Sequence, residues 1–150
     1  MIGGIFYENW FFETEKGLDS RAIQGGVYQV ELLMEGKEPI CLYIGESVWI
    51  ASRCGKHLFS LYENPAYFGL TEEDLNNEQL TLRFSVIKDI KEKKSILGVR
   101  SYIDQERDEI KKYKPLTQLN TSDRQISDIN EKVRRVQDKL RENGYKKPSE

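Results

Sequence analysis

The sequence has few of the residues that build disulfide frameworks and zinc sites. Among its 150 residues there are two cysteines, Cys41 and Cys54, and a single histidine. Two cysteines cannot make a disulfide framework, and with one histidine they cannot supply the four ligands of a structural zinc ion. No apolar run approaches the ~18 to 20 residues that a membrane-spanning helix needs. These absences exclude a small disulfide-rich secreted domain, a zinc finger and a membrane protein.

The first residues lack the features of a secretion signal. MIGGIFYENWFFETEKG has no basic segment followed by a long apolar stretch, so we expect a mature chain in the reducing cytoplasm. Five aromatic residues lie between positions 6 and 12, which is too apolar a composition for a disordered tail. Residues 1–25 are therefore predicted to form an aromatic arm that docks on the core as a short strand or hook.

Charge is distributed unequally along the chain. Residues 1–75 carry 5 basic and 12 acidic side chains, whereas residues 76–150 carry 18 basic and 13 acidic ones. Such asymmetry is typical of a chain that presents a basic surface to an anionic partner. It is equally typical of two halves that pair with each other, and the sequence leaves both explanations open.

Three runs of residues have the composition of β-strands. Residues 26–34 and 40–46 are rich in β-branched and aromatic side chains and flank the polar turn EGKEP, which predicts a hairpin over 26–46. Residues 80–89 alternate apolar and polar positions, as a half-buried third strand does. These runs predict a small three-stranded antiparallel sheet.

The remaining segments have helical patterns. Thr71 and Asp74 have the spacing of a capping box at the start of a short helical turn. Three longer helices are predicted: one capped by Ser47 and ending near Asn64, one over about 91–113, and one from Ser122 or Asp123 to near Gly144. The fold class is therefore α+β, a three-stranded antiparallel sheet flanked by helices, with the arm at 1–25, the main domain at 26–120 and an additional C-terminal helix and tail at 121–150.

The last helix carries apolar residues at alternating intervals of three and four. This spacing is that of a coiled-coil seam, although it extends over only about two heptads. Either the seam lies on the core of its own chain, or it forms a weak homodimer contact. The seam consists of Ile126, Ile129, Val133, Val136 and Leu140.

A series of glycine and polar residues recurs in register on these predicted elements. The first strand carries Gly26-Val27-Tyr28 and the second carries Tyr43-Ile44-Gly45. Arg53 follows Gly45 by eight residues, and Glu106, on the long helix, is followed nine residues later by Pro115. In these residues and spacings the segment from about 26 to 118 resembles the GIY-YIG endonuclease family, in particular its restriction-enzyme and phage-like branch.

The resemblance implies a metal-dependent DNA endonuclease that hydrolyses phosphodiester bonds. In that mechanism Tyr28 and Tyr43 orient or activate water, and Arg53 stabilises the phosphate. His57 accepts a proton, and Glu106 binds Mg²⁺ or Mn²⁺. Gly26, Gly45, Ser47 and Gln118 occupy structural positions of the motif, and DNA contacts are expected from Lys56, Lys111 and Lys114.

Some features of the sequence depart from the family pattern. Val27 replaces isoleucine, Gln118 replaces asparagine, His57 stands where many members have tyrosine, and the connection between the two tyrosine motifs is longer. One alternative is a non-catalytic module of the same fold that binds DNA or protein. Another is an unrelated α+β domain in which Tyr28 and Tyr43 are ordinary cross-strand partners. Cys54, next to Arg53, is expected to be a buried packing residue and not a nucleophile.

Overall fold

A four-stranded sheet forms the centre of the protein in the computed structural model, which describes residues 6–9, 12–13, 17–18, 23–90, 106–118 and 126–149. The strand order is β1-β6-β4-β5, with β4 antiparallel to both of its neighbours. The predicted three-stranded antiparallel sheet is confirmed. The arm adds β1, which pairs parallel to β6, and a separate pair formed by β2 and β3. The strands are β1 Phe6–Asn9, β2 Phe12–Glu13, β3 Gly17–Leu18, β4 Gly25–Met34, β5 Ile40–Ser47 and β6 Leu80–Ile90.

Helices flank this sheet. The helix predicted over about 91–113 is present over 106–113, and residues 91–105 lie outside the described part of the chain. A 3-10 turn, Pro65–Phe68, separates the first two helices. The helices are α1 Ile50–Glu63, α2 Glu72–Leu75, α3 over residues 106–113, and α4 Ile129–Glu142.

The central strand β4 is buried on both faces because its side chains alternate between two apolar clusters. Val30 and Leu32 belong to the larger cluster, to which α1, the 3-10 turn and α4 also contribute. Val27 lies in a smaller cluster with Ile44 of β5 and Ile110 of α3. The sheet thus separates α3 from the apolar core that the other helices share.

The helix starts show which capping predictions were right. Thr71 and Asp74 form the predicted capping box at α2. Ser47 does not cap α1, because it is the last residue of β5 and its hydroxyl instead bonds the backbone of Trp49. Neither Ser122 nor Asp123 begins α4, whose N-cap is Asp128 with its carboxylate accepting from the N–H groups of Asn130 and Glu131.

The apolar seam of the last helix packs on its own chain. Val136 and Leu140 are fully buried in the main core cluster, and Ile126 is also buried, while Ile129 is 46% exposed. A homodimer through Ile126, Ile129, Val133, Val136 and Leu140 is not supported, since Val136 and Leu140 already lie in the core of their own chain. The physical reason is that two heptads gain more by covering a sheet-based core than by forming a marginal coiled coil.

The two halves of the chain also pair electrostatically. Arg83 of β6 donates to Glu31 of β4 at 2.8 Å, across directly opposite positions of the sheet. Near the C-terminus, the Ser149 N–H donates to the Glu73 carboxylate at 2.6 Å. Contacts within the chain therefore account for part of the charge difference between its two halves.

Candidate functional site

A β-bulge places the two motif tyrosines on the same face of the sheet. Val30 pairs with Tyr43, whereas the next residue, Glu31, pairs with Cys41, so that Leu42 is an extra residue in β5. Beyond the bulge, Tyr28 pairs with Gly45. Because side chains two positions apart share a face, the rings of Tyr28 and Tyr43 become neighbours, with their centroids 6.2 Å apart.

Gly45 is a glycine because these two rings occupy the space beside it. A Cβ atom at this position would lie 2.6 Å from the Tyr28 ring and 2.7 Å from the Tyr43 ring. Carbon atoms do not approach that closely, so any side chain would push one tyrosine away. Gly26 lies at the start of the same hairpin, paired with Ser47 on β5 and Asp89 on β6.

The helix α1 brings Arg53 and His57 to the tyrosines. The two residues are separated by one helical turn and lie near each other on one side of the helix. His57 is buried, with its ring 4.7 Å from that of Tyr43, and Arg53 is exposed. Cys54, between them, is buried, and burial raises the pKa of its thiol, which fits core filler and not a nucleophile.

Three side chains form a continuous hydrogen-bonded chain through the site. The Tyr28 hydroxyl lies 2.6 Å from Nε2 of His57, and the Tyr67 hydroxyl lies 3.0 Å from Nδ1 on the other edge of the ring. Both ring nitrogens are therefore used. The sequence analysis missed Tyr67 because this residue occupies no position of the motif. Its place just after the Asn64-Pro65 turn brings its hydroxyl within hydrogen-bonding distance of His57.

Burial keeps this chain of side chains neutral. Burial, and next the charge that Tyr43 would carry, raise the pKa of Tyr28 well above its usual range. Burial and the Glu106 charge do the same to the pKa of Tyr43. Burial, assisted by the Arg53 charge, lowers the pKa of His57 to about 4. A phenol beside a neutral imidazole is thus the resting state.

Glu106 reaches the site from α3. It is buried, and its charge acts on the pKa of Tyr43. Mg²⁺ and Mn²⁺ keep most of their water ligands, so that one carboxylate can hold such an ion, and Glu106 is the residue of this site that could do so. In the part of the chain that the structure describes, no three of the His, Cys, Asp and Glu side chains are grouped closely enough to hold a metal ion.

Gln118 lies beside β5 and not among the reacting groups. Its amide oxygen accepts from the Ile44 N–H at 2.8 Å, and its amide nitrogen donates to the Ile44 carbonyl at 2.7 Å. The preceding Thr117 donates to the Leu42 carbonyl through both its N–H and its hydroxyl. Residues 116–118 thus hold the outer edge of β5 at the bulge that positions Tyr43.

The three lysines predicted to contact DNA are all exposed: Lys56, Lys111 and Lys114. Lys56 lies on α1 three residues after Arg53. Lys114 follows α3 and adopts a left-handed backbone conformation with φ 49°, and it lines a groove with Glu31 and Glu38. Cys41 lines the same groove, and burial raises the pKa of its thiol to about 12.

No protein-family model, curated protein or solved structure matches the chain. The chemistry of the site must therefore be argued from its own residues. Within the described ranges, no helix has both the length and the hydrophobicity that spanning a bilayer requires.

Proposed function

We propose that this protein is a metal-dependent DNA endonuclease of the GIY-YIG type. The observation that carries the proposal is the convergence of Tyr28, Tyr43, Arg53 and His57, from three different elements, with the charge of Glu106 from a fourth. Hydrogen bonding, ring contacts and electrostatic coupling connect these residues. They are the residues that the family motif assigns to the reaction.

Arg53 is the proposed phosphate-binding group. Its guanidinium is always charged and presents a planar set of donors that matches the non-bridging oxygens of a phosphodiester. In the free protein its charge lowers the pKa of His57. A bound phosphate would offset that charge, so substrate binding would make His57 a better proton acceptor.

The tyrosines provide a path for the proton of the attacking water. Tyr43 is half-buried and Tyr28 is only 1% exposed, so Tyr43 is the hydroxyl that water can reach. Tyr43 accepts the proton of water while passing its own to Tyr28, and Tyr28 passes its proton to Nε2 of His57. The hydroxide forms the new bond to phosphorus, and the bond to the 3′ oxygen breaks, with that oxygen keeping the electron pair and taking a proton from solvent water.

Glu106 is the proposed ligand of Mg²⁺ or Mn²⁺. When bound, the ion supplies positive charge for the pentacovalent phosphate and for the departing 3′ oxygen. The Glu106 carboxylate would hold the ion in the site, where the positive charge would offset the negative charge by which Glu106 raises the pKa of Tyr43.

DNA is the proposed partner, held by exposed basic residues at Lys56, Lys111 and Lys114. Contacts of this kind attach to phosphates and carry no sequence information. Binding should therefore weaken steeply with salt.

A non-catalytic DNA- or protein-binding module is the second candidate. The deep burial of Tyr28 favours it, because a phenol with a raised pKa needs a specific environment before it can exchange protons. The two candidates differ in whether purified protein cuts DNA.

Plasmid nicking with Mg²⁺ tests the proposal. Glu106→Gln should reduce cutting by roughly 100-fold or more, since it removes a charge needed in the transition state, while DNA binding stays within a few-fold. Glu109→Gln is the matched control, because Glu109 is also buried on α3, one turn away. That variant should cut at close to the wild-type rate.

The expected pattern is cutting that excess EDTA abolishes and that Mg²⁺ restores. Wild-type nicking by Glu106→Gln, or undiminished nicking in EDTA, would remove the metal-binding carboxylate from the mechanism. DNA binding without any nicking by the wild type would assign the non-catalytic module instead.

A further inference from the structure

Tyr67 contacts His57 on the edge of the ring opposite to Tyr28. It lies in the 3-10 turn between α1 and α2, and its hydroxyl is 3.0 Å from Nδ1. The proposed proton path from Tyr43 through Tyr28 ends at Nε2 and makes no use of Tyr67. A partly buried contact on the second nitrogen nevertheless matters, because the bond at one ring nitrogen determines which nitrogen carries the proton.

The two distances indicate how the single ring proton is placed. A neutral imidazole has one donor nitrogen and one acceptor nitrogen. The 2.6 Å contact at Nε2 is in the range of a hydroxyl that donates, whereas 3.0 Å at Nδ1 is typical of an N–H that donates to oxygen. These distances favour the tautomer with its proton on Nδ1, in which the Tyr67 oxygen is the acceptor.

We propose that Tyr67 is a positioning residue that holds His57 in the Nδ1–H tautomer and thereby keeps Nε2 available to accept the proton of Tyr28. The catalytic consequence rests on the proposed endonuclease function, whereas the tautomer itself does not. Without Tyr67, Nε2–H, the tautomer that imidazole favours in water, would donate to Tyr28 and block proton acceptance.

The position of Tyr67 is itself fixed by contacts on several sides. The Asn64 side chain accepts from the Ala66 N–H at 3.1 Å and so caps the turn. Lys132 of α4 donates to the Tyr67 carbonyl at 3.2 Å, and its ammonium lies 5.0 Å from the centre of the Tyr67 ring. The ring of Phe68 packs edge-on at 4.9 Å. The C-terminal helix therefore helps to orient the tyrosine that contacts His57.

Nitrogen NMR of the full chain tests the tautomer directly, since the sequence contains one histidine. At neutral pH, wild-type protein should show Nδ1 with the shift of a protonated nitrogen and Nε2 with that of an unprotonated one. Tyr67→Phe should move the population towards Nε2–H. Tyr62→Phe, which removes an exposed hydroxyl from α1, should leave the wild-type pattern unchanged.

The wild-type spectrum alone can contradict the proposal. The test therefore remains decisive even if the Tyr67→Phe variant does not fold. A predominant Nε2–H tautomer in wild type, or an unchanged tautomer in folded Tyr67→Phe, would show that Tyr67 does not set the ring. Both results are independent of any cutting.

Steady-state kinetics then test the consequence for activity. Tyr67→Phe should lower kcat by about 10-fold or more with little change in KM, because an incorrect histidine tautomer impairs proton transfer and not binding. An unchanged kcat in a variant with an altered tautomer would contradict the positioning role. If the wild type does not cut at all, the proposed function fails, while the NMR result still decides the tautomer.

Discussion

At the scale of single residues, His57 shows how burial changes a side chain that the sequence already identifies. For an unshifted imidazole, protonation would be expected to reduce the cutting rate near pH ~6 to 7. In the fold, burial and the nearby Arg53 charge lower the pKa of His57 to about 4. The rings that face it are those of Tyr28, Tyr43, Tyr67 and Phe68, and burial raises the pKa of Tyr28 and of Tyr43, so that neither supplies a negative charge at neutral pH. The acidic decline in rate should therefore occur well below pH 6.

The same shift predicts how stability depends on pH. The unfolded chain binds the His57 proton at its ordinary pKa of 6.5, whereas the folded chain binds it only near 4. Stability should therefore fall as the pH drops from about 6.5 towards 4, by a total of about 3 kcal/mol from this residue. Urea unfolding between pH 4 and 7.5 measures this loss.

The control for the pH prediction is His57→Gln, which cannot titrate. Its stability should vary less with pH across that interval, because unfolding no longer takes up the histidine proton. Equal pH dependence in the two proteins would show that His57 is not held neutral by the fold.

At the scale of elements, the outer edge of β5 is completed by a side chain. An edge strand leaves backbone groups without partners in the sheet, and here Gln118 bonds both polar groups of Ile44. The shorter asparagine of the family pattern would have to approach closer to make the same pair of bonds. Gln118, which stands where the family pattern has asparagine, therefore has a structural role in this chain. It lies next to the bulge that brings Tyr43 to the site.

Removing the Gln118 amide should destabilise the protein. Gln118→Ala leaves two buried backbone groups without their bonds and should cost about 2 to 3 kcal/mol. Gln118→Asn should cost less, because it can retain one bond. Urea denaturation measures both, with Gln79→Ala as the control at an exposed position. A loss below about 0.5 kcal/mol for Gln118→Ala, within the range of ordinary surface changes, would contradict the role assigned to the amide.

At the scale of the whole molecule, α4 completes the core of its own chain. Gly69, with φ 72°, allows α4 to approach closely, since a Cβ there would lie 2.6 Å from the Lys132 carbonyl. Buried polar bonds add to this contact. Asp74 of α2 accepts from Gln137 at 2.8 Å and from the Tyr145 hydroxyl at 2.7 Å. The C-terminal residues are therefore part of the same folding unit as the sheet.

Two aspartate substitutions on α4 should distinguish core from surface. Val136→Asp places a charge in the core and should cost more than about 3 kcal/mol. Ile129→Asp, at a position that is 46% exposed, should change stability by less than about 0.5 kcal/mol. Urea denaturation measures both, and sedimentation of Ile129→Asp should match that of the wild type. If Val136→Asp folds and self-associates less than the wild type does, the result would support a homodimer through α4.

The sequence by itself determined the three longest strands and their order along the chain, and it indicated candidate residues for the site. The β-branched and aromatic composition at 26–46, the alternation at 80–89, the Thr71–Asp74 capping box and the spacing from Gly45 to Arg53 are all features of residues that lie close together in the sequence. The capping of α1 and α4 was predicted incorrectly: α1 begins after Trp49 without a side-chain cap, and α4 uses Asp128, one of several polar residues before the helix that could serve.

Only the tertiary structure decided the properties that depend on distant neighbours. The burial of the α4 seam joins segments far apart in the chain. The bulge at Leu42 and the contact of Tyr67 with His57 join nearer residues, but both depend on how the strands and helices pack. The low pKa of His57 has the same origin, because desolvation is set by the side chains that the fold assembles around the ring. Residue spacing indicates which groups share a face, but it carries no information about what covers that face.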